Sequence, residues 1–69
     1  MMLQINQNGA WRNVARFEAG DEAREVQVRK AASFAATALR CKFRLLADDN
    51  SVIAHCDAAG LWEEWRKPA

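Results

Sequence analysis

An α+β fold is what this sequence predicts: two β-hairpins joined by one long helix, in a single domain spanning residues 1–69. Three observations predict it. Apolar and polar residues alternate on both sides of two turn signals, Gln7-Asn8-Gly9 and Asp48-Asp49-Asn50-Ser51. Between them, an Ala-rich stretch opened by Asp21 carries apolar residues at helical spacing. The length admits one core and excludes two, because so short a chain buries only about 60% of its unfolded surface. The expected architecture is a four-stranded, mainly antiparallel sheet with the helix packed on one face (ββαββ), followed by a short C-terminal helical segment.

In the first hairpin, Leu3 and Ile5 alternate with Gln4 and Asn6 as a half-buried strand requires. Two registers compete. A two-residue Asn8-Gly9 turn places Ile5 opposite Arg12, whereas a three-residue loop places it opposite Trp11. The second is preferred here, because it gathers Leu3, Ile5, Trp11, Ala15 and Phe17 on one face. Its weak point is Asn13, which then lies on the core side and needs a hydrogen-bond partner, an edge position or a bulge.

Ala19-Gly20-Asp21 ends the strand, and Asp21 is a good N-cap for a helix with Glu22 and Glu25 at its start and Arg40 and Lys42 at its end. At 100° per residue Val28, Ala31, Ala32, Ala35, Ala38 and Leu39 share one side, with Phe34 at its flank. Arg29, Lys30, Ser33 and Thr37 fall on the other. The second hairpin has one register satisfying both alternations: Leu45 opposite Ala54, Phe43 opposite Cys56, Leu46 opposite Ile53, Arg44 opposite His55 and Lys42 opposite Asp57. After Gly60, Leu61 and Trp65 stand at i,i+4, which predicts one or two helical turns within a 58–69 tail. A strand order of second, first, third, fourth keeps every pair antiparallel.

Ten basic and nine acidic residues give a net charge of +1, so no global field draws the protein to nucleic acid or to an acidic membrane, and any such binding is local. The N-terminal residues do not form a signal-peptide pattern and no apolar run approaches the roughly 20 residues of a membrane span, which predicts a cytoplasmic protein. Cys41 and Cys56 are read as reduced, inward-facing and diagonal across their hairpin, a geometry that strains a bridge.

Catalysis finds little to work with. His55 and Cys56 are adjacent on a strand, so their side chains point to opposite faces and cannot share a proton. The same alternation separates the two cysteines from His55 and Asp57, leaving two soft ligands where structural zinc takes four. The acidic turn lacks the spacing and terminal glutamate of a calcium loop, and no phosphate-cradling glycine motif is present. No enzyme activity, cofactor, metal or small-molecule substrate is indicated.

What remains is the sheet face away from the helix. On the chosen register it carries Arg12, Arg16, Lys42, Arg44 and His55 interspersed with Val14, Leu46 and Ile53, with Trp62 and Trp65 from the tail as aromatic anchors. Cations around branched apolar residues fit a protein-binding or self-associating surface, most simply a homodimer. Nucleic acid is the alternative partner, set back because this register leaves no aromatic ring on the strands of that face for bases to stack on.

The Trp-bearing hairpin, the acidic-capped Ala-rich helix and the closing KFRLLADDNSVIA hairpin resemble small bacterial and prophage-encoded proteins of ββαββ layout. The resemblance runs from Trp11 to about Ala58 through Trp11, Glu25, Ala31, Ala32, Ala35, Phe43, Arg44 and Ile53. It implies a small accessory or inhibitory binding protein and assigns no residue a role.

Overall fold

A computed structural model describes residues 1–65 of the chain. Its elements are β1 (Met2–Gln7), β2 (Ala10–Arg16), α1 (Glu22–Leu39), β3 (Phe43–Leu46), β4 (Val52–Cys56) and β5 (Trp62–Glu64). They form one helix on a five-stranded sheet of order β2-β1-β3-β4-β5, every neighbouring pair antiparallel. The first four strands take the expected order, and the fifth corrects the expected tail.

That correction has a local cause. Asp57 accepts hydrogen bonds from the backbone N–H groups of Ala59 and Leu61, closing a turn that ends at Gly60 with φ +83°. The chain leaves this turn beside the unpaired edge of β4 and extends along it, pairing Cys56 with Trp62, His55 with Glu63 and Ala54 with Glu64. An i,i+4 apolar pair across five residues supplies too little to outweigh ladder bonds with a waiting edge. Residues 66–69 of the expected helical tail lie outside the described residues.

The first hairpin takes the register that the sequence reading set aside. Asn8 and Gly9 both have positive φ (53° and 81°) and form a two-residue turn of the type that matches strand twist, so Gln7 faces Ala10 and Ile5 faces Arg12. A bulge between Leu3 and Gln4 then restores Leu3 opposite Ala15. Trp11 and Asn13 thereby move to the face away from the helix. Asn13 gains the partner it needed, accepting a 2.8 Å hydrogen bond from Gln4.

In α1 the Asp21 carboxylate accepts from the Arg24 N–H, capping the first turn, and Arg40 ends the helix in the left-handed conformation. The buried stripe centres on Ala32 and Ala36, rotated from the expected side, and Phe34 (79% exposed) and Leu39 (59%) stand in solvent. The rotation has a cause in the tail. Ser33 Oγ donates to the Gly60 carbonyl, and Trp62 Nε1 donates to the Arg29 carbonyl at 2.8 Å. The Arg29 guanidinium lies over the Trp62 ring and pairs with both Glu25 and Glu64. Burial works against the Arg29 charge, but the bonds and charges of Glu64 and Glu25 outweigh it and hold its pKa above the ordinary arginine value. Residues assigned to the wet side of the helix therefore tie it to β5.

The core consists of Leu3, Ile5, Ala32, Ala36, Phe43, Leu45 and Cys56. Small helix residues against bulky sheet residues is the division of volume that close packing of an Ala-rich helix demands. No helix among the described residues is long and apolar enough to cross a membrane.

Candidate functional site

The open face of the sheet is built around four side chains, three from β2, β3 and β4 and one from just beyond β5. The two-residue turn aims Trp11 of β2 outward. Arg44 of β3 places its guanidinium 4.2 Å from the centroid of the Trp11 ring. His55 of β4 stands edge-on to Trp11 at 6.5 Å between centroids, and the same imidazole meets Trp65, just beyond β5, at 5.5 Å. Trp65 is 57% exposed and is held at the edge by its N–H, which donates to the Ile53 carbonyl at 2.7 Å.

The cation is oriented rather than merely near. Arg44 Nε donates to Gln4 Oε1 at 2.8 Å, and Gln4 Nε2 donates in turn to Asn13 Oδ1. This relay across β3, β1 and β2 fixes the guanidinium plane against the indole face, an arrangement that arginine supports and lysine does not. Arg44 is half-buried, and among the described residues its terminal nitrogens make no hydrogen bond. Arg16 lies on the same face, lining a shallow depression with Gln4, Asn13 and Leu46. Exposed Lys42 borders the His55 end, where Glu63 faces His55 across the β4–β5 ladder.

Of the ten residues expected to form this surface, Arg16, Lys42, Arg44, Leu46, His55 and Trp65 lie on it, Leu46 with only 6% of its surface exposed. The others are corrected. Arg12 pairs with Ile5 and so points to the helix side. Val14 is the extra residue of the β2 bulge and lines a cleft beside the helix. The second hairpin keeps its expected register from Phe43–Cys56 to Leu45–Ala54, then shifts so that Leu46 faces Val52. Ile53 becomes the extra residue and packs against the core. Trp62 faces the helix, because it pairs with buried Cys56. Trp11 is the member that the sequence reading missed. The signal that finds it is the Asn8-Gly9 dipeptide, whose two-residue turn dictates the other register.

His55 and Cys56 do point to opposite faces. Burial, and secondarily the charge of Asp57, pushes the Cys56 thiol above the usual range. No group of three or more metal-binding side chains occurs among the described residues. In the turn from residue 48 to 51, Asp49 accepts from the Ser51 backbone and hydroxyl. No family model, curated protein or solved structure matches the chain.

Proposed function

We propose that this protein is a non-catalytic accessory module that binds single-stranded nucleic acid on the open face of its sheet. One observation carries the reading: the row Trp11, His55 and Trp65, with the Arg44 guanidinium seated on Trp11. Stacking platforms for bases, combined with cations that follow the phosphates, are what sequence-tolerant single-strand binding uses. Single-strand binders need aromatic rings on the sheet face, and two indoles, Trp11 and Trp65, stand on this one. The protein-partner reading of the same face rests on Val14, Leu46 and Ile53 with Trp62 or Trp65 as anchor, and of these only Trp65 is an exposed apolar group on it.

A fluorescence titration with oligothymidylate tests this, since the indoles report directly. Binding at low salt is expected, and a tenfold rise in salt should weaken it about a hundredfold if Arg16, Lys42 and Arg44 each meet one phosphate. Trp65→Ala should cost about 1–3 kcal/mol of binding, the usual worth of one base–aromatic stack. Absence of binding at low salt, or affinity indifferent to both Trp65→Ala and Arg44→Ala, would falsify the proposal.

A further inference from the structure

The other broad face carries a second surface. Because Ser33, Arg29 and Trp62 draw α1 toward β5, the helix does not cover the opposite side of the sheet. A cleft of about 270 Å³ remains between α1 and the β1–β2 hairpin, walled by Leu3, Ile5, Val14, Ala31, Ala35 and Leu39. Val14 is 52% exposed and Leu39 59%. Beyond the Ala31 wall stands Phe34, which at 79% is the most exposed large apolar side chain among the described residues. Three positions after Ala31, Phe34 projects from the side of α1 opposite the buried Ala32 and Ala36, above the rim of the recess rather than lining it.

We propose that this surface is a two-fold homodimer interface, in which Phe34 of each copy enters the cleft of the other. Two features select a second copy as the occupant. A knob beside a hole on one chain is self-complementary under a two-fold axis, which delivers each knob to the partner's hole in one operation. The charges agree with that axis. The N-terminal end of α1 carries Asp21, Glu22 and Glu25 and the other is capped by Arg40, so antiparallel helices oppose unlike ends, as their dipoles also favour. The surface lies across the sheet from Arg44 and Trp65, so the proposal stands independently of nucleic-acid binding.

Sedimentation velocity on the wild-type chain and two variants tests it. The wild type should pass from monomer to dimer between low and high micromolar concentration. Phe34→Ala removes two symmetric contacts and should weaken the dimer at least about a hundredfold. Val14→Trp fills the hole and should also give monomers. Both variants alter exposed positions, and circular dichroism should show native folding. Mixing the two is the decisive arm. Phe34 of the Val14→Trp chain can enter the open cleft of the Phe34→Ala chain, so the mixture should associate where neither variant does alone. A wild type that stays monomeric throughout, a Phe34→Ala dimer of undiminished strength, or a mixture that remains monomeric overturns the proposal.

Discussion

At the scale of single residues, the arrangement of the open face turns on Asn8 and Gly9. Both accept positive φ, and with them in a two-residue turn every side chain of β2 before the bulge changes face. Trp11 leaves the core, Arg12 turns toward the helix side, and Asn13 meets Gln4. The dipeptide was readable in the sequence. Hydrophobicity alone groups Trp11 with Leu3 and Ile5, but an indole is equally at home stacked under an arginine, which Arg44 provides. Arg44 and His55 were readable because their facing positions are fixed by the regular part of the second hairpin.

The cysteines give a test at the same scale. Cys56 is buried with its thiol pKa raised by burial and then by Asp57, whereas Cys41 is only half-buried. The thiolate is the reactive form, so at mildly alkaline pH a disulfide reagent should titrate one thiol rapidly in the folded protein and the second only on unfolding. The linkage has a definite sign. A folded-state pKa raised above the unfolded value contributes stability that is present below the unfolded pKa and is lost as pH rises through the folded one. Alkali should therefore loosen the fold and expose Cys56 together. Equal reaction rates for the two thiols in the folded state would contradict the packing of β4 against α1.

At the scale of elements, the helix and the second hairpin were legible because several independent signals agreed. Asp21 as cap, acidic first turn and apolar spacing all name α1, and two alternations name one register for β3 and β4. The rotation of α1 was not legible, because Arg29 and Ser33 are ordinary wet-side residues until β5 supplies Glu64, Trp62 and the Gly60 carbonyl. Nor was β5 itself. Trp62-Glu63-Glu64-Trp65 fits one helical turn and one short strand equally, and only the free edge of β4 decides between them.

Gly60 is the joint of this assembly, and it yields a stability prediction. A Cβ there would stand 2.9 Å from the Ser33 carbonyl oxygen and 3.0 Å from Thr37 Cγ2, at a φ of +83°. Gly60→Ala should cost about 2–4 kcal/mol, combining left-handed strain with overpacking. Gly9 has a similar φ of +81° but nothing within 4 Å of the same added atom. Gly9→Ala should therefore cost only about 1–2 kcal/mol, the strain alone. Urea unfolding of the two variants checks the difference; equal losses would mean that α1 and the β4–β5 turn do not touch as described.

At the scale of the whole molecule, a one-helix, five-strand design leaves two unlike surfaces. The sheet's outer face is polar and aromatic, with guanidinium, imidazole and indole groups in contact. The helix side has an apolar recess because the tail holds α1 off centre. The sequence reading assigned both qualities to a single face, placing Val14 and Ile53 among the arginines. It could not separate them, since each of the two bulges adds one residue, and nothing in the local pattern marks where. Association through the helix side leaves both outer faces free, so a dimer would present two strand-binding surfaces and gain avidity on a long single strand.

The central claim is that the outer face is the binding surface, and the three indole N–H groups report on it separately. Two of them, Trp11 and Trp65, lie on that face, while Trp62 Nε1 is engaged by the Arg29 carbonyl on the other. In a ¹H–¹⁵N correlation spectrum recorded at low salt, adding oligothymidylate should shift the Trp11 and Trp65 indole signals and the Arg44 Nε signal in parallel. The Trp62 indole signal should stay in place. Shifts confined to Trp62 and the residues of α1, or no shift at any indole, would contradict the account.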